Sequence, residues 1–320
     1  MSSARIVFPA LLLLTAACTA EGTRAEREKV GTQAREGHVQ VKGGRIWYNM
    51  KGEGTGTPII LLHGGPGFPS SYLRALRVLS DERPVYIYDQ LGSGLSDHPS
   101  DTSLWHIERF VEELQTLRDS LGLTEVYLYG HSWGTMLAAR YMEGKPSGVK
   151  GVIFASPCLS AARWTHDADS LVRLLPDSVQ RAIAAADKSG QYEAPAYQSA
   201  VAAYSERYLN RTPLDSQTIR ANQRMNMTVY MQMWGPSEFR ATGNLKDYDA
   251  TPRLGEISVP TLFTAGEFDE ATPATTRYYA SLVKGSEFQV VPASGHLTTI
   301  DNPTETVRQV REWLRKVDVK

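Results

Sequence analysis

Apolar and polar positions run along this chain in two rhythms, and the switch between them divides the sequence. His38 to Val41 and Arg45 to Tyr48 alternate every second residue around Gly43-Gly44, the pattern of a hairpin. Pro58-Ile59-Ile60-Leu61-Leu62 is a continuous apolar run, as expected of a strand covered on both faces. Helical and strand patterns then take turns. A helix is predicted over Ser71 to Ser80, a strand at Val85-Tyr86-Ile87-Tyr88 and an amphipathic helix from about Leu104 to Leu121. A strand at Val126-Tyr127-Leu128-Tyr129, a helix from Thr135 to Met142 and a strand at Gly151-Val152-Ile153-Phe154 follow. Strands alternating with helices predict an α/β fold with a mostly parallel sheet covered by helices on both faces.

From Leu159 to about Leu254 the buried-strand runs cease. Stretches such as Ala200 to Tyr208 and Ser216 to Met233 are helical in pattern, so an inserted helical cap is expected here. The sheet resumes at Pro260-Thr261-Leu262-Phe263-Thr264 and at Phe288-Gln289-Val290-Val291. A last helix is predicted with Asn302 as N-cap, Pro303 at its first position and Glu305 in its first turn. Its buried face would carry Val307, Val310, Leu314 and Val317.

The first residues follow neither rhythm. Arg5 precedes the apolar stretch Ile6 to Leu14 and then Thr15-Ala16-Ala17-Cys18, which is the layout of a bacterial export signal. The apolar run falls short of the roughly 20 residues that span a bilayer. Small residues directly before Cys18 resemble a lipobox, although Thr15 stands where that pattern usually has Leu. Acylation of Cys18 and simple secretion, with cleavage after Ala17 or Ala20, both remain open. The expected location is outside a bacterial cytoplasm, as a membrane-anchored lipoprotein or else periplasmic or secreted. Glu21 to Arg35 is charged with few apolar residues and is expected to be a flexible tether. The expected division is therefore signal (1–18), tether (19–35), core (36–158 and 255–320) and cap (159–254).

Composition narrows the partners. With 320 residues, 42% of them hydrophobic and 22% charged, and a net charge of −1, the chain has no basic excess to draw nucleic acid or an anionic membrane. Any membrane contact is expected only through the N-terminal lipid. Cys158 is the one other cysteine and is expected as a buried small hydrophobe, not a nucleophile.

Candidate chemistry centres on Gly130-His131-Ser132-Trp133-Gly134, between a predicted strand and a predicted helix. Such a sharp turn strains its middle residue and needs glycines on either side, so Ser132 is expected above the sheet as a nucleophile. A serine hydroxyl needs a base to take its proton and an acid to orient that base. Asp269 follows the strand ending Thr264-Ala265-Gly266, and His296 follows the strand ending Val291. Ser, Asp and His in that order match the α/β-hydrolase arrangement. His63-Gly64-Gly65-Pro66-Gly67 follows an earlier strand, where glycine N–H groups are free to meet the charge that develops on a carbonyl. The expected oxyanion donors are Gly65 N–H and Trp133 N–H, with Gly64 the alternate for the first.

Asp89-Gln90-Leu91-Gly92-Ser93-Gly94 lacks the full dinucleotide spacing and is expected as a structural turn lining the cavity. His63, His131, His98 and His106 share no metal spacing. Neither a metal nor a cofactor is expected.

Together these motifs, with Asp89-Gln90, Gly92, Gly94 and Ser96 and with Gly266-Glu267-Phe268-Asp269-Glu270, resemble the proline iminopeptidase family of α/β-hydrolases. The resemblance runs from about Gly37 to the end. Trp234-Gly235-Pro236-Ser237-Glu238-Phe239 is similar to the tricorn-interacting type within it. That likeness implies that Glu238 in the cap and Glu270 beside Asp269 hold the free amino group of a substrate. It also implies a serine exopeptidase releasing an N-terminal proline or small apolar residue from short peptides or amides through an acyl-enzyme. An esterase or amidase acting on neutral small molecules uses the same triad, and a catalytically silent ligand-binding lipoprotein is a third reading. Carboxylate-nucleophile chemistry is excluded by serine at position 132.

Overall fold

The computed structural model describes residues 35–319. The export signal, Cys18 and the tether up to residue 34 lie outside the described residues. Arg35, assigned above to the tether, instead opens the first strand.

Eight strands form one sheet in the order β1-β2-β4-β3-β5-β6-β7-β8. β1 (Arg35–Val41) and β2 (Gly44–Lys51) are the predicted hairpin, and β2 runs antiparallel to β4 (Val85–Tyr88). β3 (Ile59–Leu62), β4, β5 (Val126–Ser132), β6 (Val149–Pro157), β7 (Thr261–Gly266) and β8 (Glu287–Val291) pair with one another in parallel. This is the α/β-hydrolase architecture. The run Ile59-Ile60-Leu61-Leu62 is buried throughout, and its residues divide between two cores. Ile60 and Leu62 join the core that includes Phe110, Leu137 and Phe154. Ile59 and Leu61 join Leu73, Leu76, Trp313 and Leu314 on the other face. A period of two has put every second residue on each side, as a doubly covered strand requires.

Helices α1 (Ile107–Ser120) and α2 (Trp133–Glu143) pack in the first core, and the C-terminal helix α10 (Pro303–Asp318) packs in the second. Asn302 caps α10, its side chain accepting from Glu305 N–H, and Val310 and Leu314 are buried on its inner face. Between β6 and β7 lie α3 (Ala161–Val172), α4 (Asp177–Ser189), α5 (Pro195–Tyr208), α6 (Ser216–Asn222) and α7 (Met227–Met233). The first three of them, with Phe239, share a small core of their own built on Ile183, Tyr197, Tyr204 and Tyr208, whereas Val229, Tyr230 and Met233 of α7 pack into the first core. Helix α8 (Pro273–Leu282) and the single turn α9 (Thr298–Asp301) complete the chain.

Three local expectations are corrected. The segment expected as a helix over 71–80 is a 3-10 helix from Ser70 to Asp81, closed by Glu82 N–H donating to Leu79 O. The helix expected from about Leu104 begins at Ile107, behind a short 3-10 turn at Thr102–Leu104. The single helix expected over 216–233 is two, because the Asn226 side chain takes the N–H groups of Thr228 and Val229 and starts a new helix there. A side-chain acceptor at an N-cap competes with continuation of the preceding helix.

Candidate active site

Every candidate residue of the core leaves the carboxyl edge of the sheet. Ser132 ends β5 at φ 54° and ψ −123°, a left-handed backbone that a side-chain-bearing residue adopts at a cost. The crowding that demands glycine nearby is visible. A Cβ on Gly130 would stand 2.5 Å from Gly134 O, and one on Gly134 would stand 2.1 Å from Leu62 O. The turn holds the hydroxyl in a cavity of about 160 Å³ at the start of α2.

Asp269 and His296 meet as the chain order predicts. His296 Nδ1 lies 2.8 Å from Asp269 Oδ1, and both residues are buried. Ala271 N–H also donates to Oδ1 at 2.8 Å, while Gly266 N–H (3.0 Å) and the Ser156 hydroxyl (2.6 Å) donate to Oδ2. Four donors leave the carboxylate one orientation. Among the described residues the Ser132 hydroxyl makes no hydrogen bond, the slack arrangement that resting triads tighten around substrate. His296 therefore already holds its acid partner and has its other ring nitrogen free for Ser132.

Burial alone would push His296 down, but the nearby carboxylates of Asp269, Glu270 and Glu238 outweigh it and hold the imidazole up at about 9. His131, beside Ser132, behaves oppositely. Burial first, and then the charge of His296, push it down to about 3, so it is neutral. Its neighbours assign its tautomer. His131 Nε2 faces His296 O at 2.9 Å, an acceptor only, so Nε2 carries the proton. Nδ1 then accepts from the Tyr72 hydroxyl at 2.9 Å, and that hydroxyl accepts Gly64 N–H at 2.6 Å.

This relay occupies one of the two candidates for the first oxyanion donor. Gly64 N–H is occupied by Tyr72, whereas Gly65 N–H and Trp133 N–H make no hydrogen bond among the described residues, and both residues line the cavity. Gly65 sits at φ 119°, a conformation that favours glycine. The opposite end of its peptide unit, Gly64 O, is held by His63 Nδ1 at 2.8 Å. In a trans peptide the C=O and N–H point apart, so anchoring one aims the other.

Glu238 and Glu270, from the cap and from the loop after β7, line the same cavity. Glu270 is buried, with an oxygen 3.9 Å from His296 Nδ1. Burial pushes its carboxyl up to about 8, with Glu238 and Asp269 adding to the shift and the His296 charge opposing it. Glu238 is likewise raised by burial, although the Tyr230 hydroxyl donates to it at 2.8 Å. Two carboxyls that resist ionising together are poised to receive a cation. Tyr230, Trp234, Trp164 and Phe68 supply aromatic walls, and Trp164 meets the His296 ring edge-on at 5.6 Å. Of the run 230–234, Met233 belongs to the core and Met231 is exposed. Cys158 is buried in the cavity wall, and burial pushes its thiol well up.

The cap's main chain is stitched to the histidine loop. His296 N–H donates to Tyr208 O and Leu297 N–H to Leu209 O, each at 2.8 Å. The Asp301 carboxylate accepts from Gly295 N–H on the loop (2.8 Å) and from Arg211 and Thr212 N–H on the cap (2.9 and 2.7 Å).

The 89–94 turn corrects another expectation. It does not line the cavity but lies buried behind it, with Gln90 1% exposed and Ser93 fully covered. Ser156 and Tyr72 escape the motif reading altogether. Ser156 stands at φ 49° at the end of β6, and this unusual backbone brings its hydroxyl to Asp269. No local motif marks either residue, since each acts through partners far along the chain. Among the described residues no group of three or more His, Cys, Asp or Glu has the arrangement of a metal site.

Comparison with known proteins agrees with this fold. The profile of the α/β hydrolase fold matches residues 57–303. The proline iminopeptidase of Heyndrickxia coagulans is 45% identical over 287 residues, covering 88% of this chain and 99% of that protein. The proline iminopeptidase of Clostridium botulinum is 35% identical over 289 residues, with the same two shares. The crystal structure of proline iminopeptidase from Mycobacterium smegmatis superposes with a TM-score of 0.83 at 30% identity, covering 89% of this chain and 99% of that one.

Proposed function

The chain belongs to the proline iminopeptidase family of α/β-hydrolases, and on that premise we infer that it is a serine exopeptidase. It releases an N-terminal residue, proline or a small apolar one, from short peptides or amides. Ser132 is the nucleophile and His296, oriented by Asp269, is the base that takes its proton and returns it to the leaving amine. Gly65 N–H and Trp133 N–H receive the oxyanion, and water then hydrolyses the acyl-enzyme. No metal or cofactor takes part in these steps.

The observation that carries the substrate assignment is the convergence of Glu238 and Glu270 on the cavity that holds Ser132 and His296. An α-ammonium entering that cavity loses its water, and two carboxyls facing it offset the loss. This is the amine recognition of the tricorn-interacting type, and we extend it to this chain. The substrate's free amine thus measures out one residue ahead of the scissile bond, which makes the enzyme an exopeptidase.

A panel of aminoacyl arylamides, each with a free and an acetylated amine, tests this reading. Glu238→Gln and Glu270→Gln should each lower kcat/KM for the free amine by about tenfold or more relative to a small neutral ester. Equal loss on both substrates would overturn amine recognition and bring the esterase reading to the front. The same proposal includes export and anchoring through an acylated Cys18, consistent with Ala16-Ala17 before it.

A further inference from the structure

We propose that Gln90 is a positioning residue that holds the two oxyanion donors at a fixed separation. It does so from behind the cavity and without touching substrate. All four of its polar atoms are engaged: its backbone O accepts the Ser93 N–H (2.9 Å) and hydroxyl (2.6 Å), and the other three lead to the donors. Its side-chain Oε1 accepts Trp133 Nε1–H at 2.8 Å, which fixes the ring of the residue whose backbone N–H is one donor. Its Nε2 donates to His63 O at 3.0 Å, and its backbone N–H donates to His63 Nε2 at 2.9 Å. With Nε2 accepting, His63 must carry its proton on Nδ1, the nitrogen that holds Gly64 O. Gly64 O is the far end of the peptide whose N–H, on Gly65, is the second donor. One glutamine therefore reaches one donor through an indole and the other through an imidazole and a single peptide plane.

The brace is itself clamped. Leu91 N–H donates to Glu113 Oε2 at 3.2 Å, and Glu113 pairs with Arg109 inside the core. Asp89 accepts Ser70 N–H (2.8 Å), the Ser70 hydroxyl (2.7 Å) and Leu95 N–H (2.8 Å), fixing the turn on its other side. Burial pushes the His63 imidazole down from its ordinary value, in the direction its acceptor role needs. Oxyanion donors stabilise only when each sits about 2.7–3.1 Å from where the charge will develop, so a lost brace is felt in the transition state more than in the bound substrate.

The proposal rests on the serine-hydrolase chemistry above but not on amine recognition, so its test uses p-nitrophenyl acetate and an alkylboronic acid. The boronic acid forms a tetrahedral adduct with an active serine and puts B–O⁻ where the oxyanion would lie. Gln90→Met removes both side-chain bonds at nearly constant size. Trp133→Phe removes Nε1 and keeps the backbone donor. Each should lower kcat by about tenfold or more with KM within about twofold, and should weaken the boronic acid in proportion to kcat. The double variant should be little worse than the worse single one, because both break the same link. Multiplicative losses in the double variant would overturn the proposal. So would an unchanged boronic acid affinity accompanied by a lowered melting temperature, which would reduce Gln90 to a packing role. Should Gln90→Met fail to fold, Trp133→Phe decides alone, and wild-type kcat and boronic acid affinity in it refute the brace. Failure of the arylamide panel with success here would overturn the substrate assignment and leave the brace standing.

Discussion

Glu270→Gln should make the enzyme faster around pH 8 to 9, where Glu270 is ionised and His296 still holds its proton, on a substrate without an amine, although it damages the site for substrates that have one. The general base must be neutral to act, yet in the free protein the surrounding carboxylates hold His296 protonated up to about 9. Removing a negative neighbour destabilises the imidazolium, so the folded-state pKa of His296 must fall. At 3.9 Å, two unit charges in an effective dielectric of about 20 interact by about 4 kcal/mol, equivalent to about three pKa units. Glu270 is itself pushed up to about 8 and is protonated over much of the neutral range, so it delivers only a share of that energy. A downward displacement of about one unit is the expected result.

The assay is the pH profile of kcat/KM for p-nitrophenyl acetate between about pH 5 and 10, which reports the free enzyme. The upper part of the acidic limb should move to lower pH by about one unit, so the variant overtakes wild type around pH 8 to 9, and the two profiles should converge at lower pH where Glu270 is protonated. A substrate ammonium placed between Glu238 and Glu270 should act in the same direction as the mutation. For wild type, the acidic limb of kcat with free-amine substrates should therefore lie below that of kcat/KM. An unmoved limb in Glu270→Gln, or one moved upward, would refute the electrostatic link between Glu270 and the base.

Three further outcomes are expected. Ser132→Ala should keep the circular dichroism of the folded protein and lose turnover by orders of magnitude; substantial residual hydrolysis would remove Ser132 as nucleophile. Ser156→Ala deletes a buried donor to a carboxylate, worth about 2 kcal/mol, which should lower the melting temperature by about 4–8 °C and kcat by about tenfold. An unchanged kcat would mean that the other donors suffice to orient Asp269. Mass spectrometry of the mature N-terminus should find an acylated Cys18, and an unmodified chain starting at Cys18 or Glu21 would mean simple export.

What the sequence made legible follows the range of the interactions concerned. β3 and the elbow strand are written in contiguous apolar residues, and Asp269, His296 and Glu270 are each placed by the end of a strand a few residues earlier. Local chemistry was readable in principle even where it was missed. Asn226 before Met227-Thr228 is a cap signal lying inside an otherwise helical pattern. Ser156, Tyr72 and Gln90 are different, because each gains its role from residues that folding alone brings near. Ser156 and Asp269 are 113 positions apart, Tyr72 and His131 are 59, and Gln90 and Trp133 are 43. A backbone at φ 49° on Ser156 leaves no trace in residue type. Glu238 entered through family likeness rather than through spacing, since nothing near it in the chain points at Ser132.

The stitching of Tyr208 and Leu209 to the histidine loop bears on how such a chain can evolve. The cap contributes carbonyl oxygens there, not side chains, and Asp301 likewise grips cap amides. Backbone groups are the same whatever residues carry them. Cap side chains are thus free to change with the substrate while the catalytic base stays tethered to whatever cap is present. Excision is another matter, because deleting the cap would strand two amides of the loop that carries His296. Grafting a foreign cap should succeed when it returns two carbonyls to those amides, and trimming the chain to its sheet should cost the base its footing.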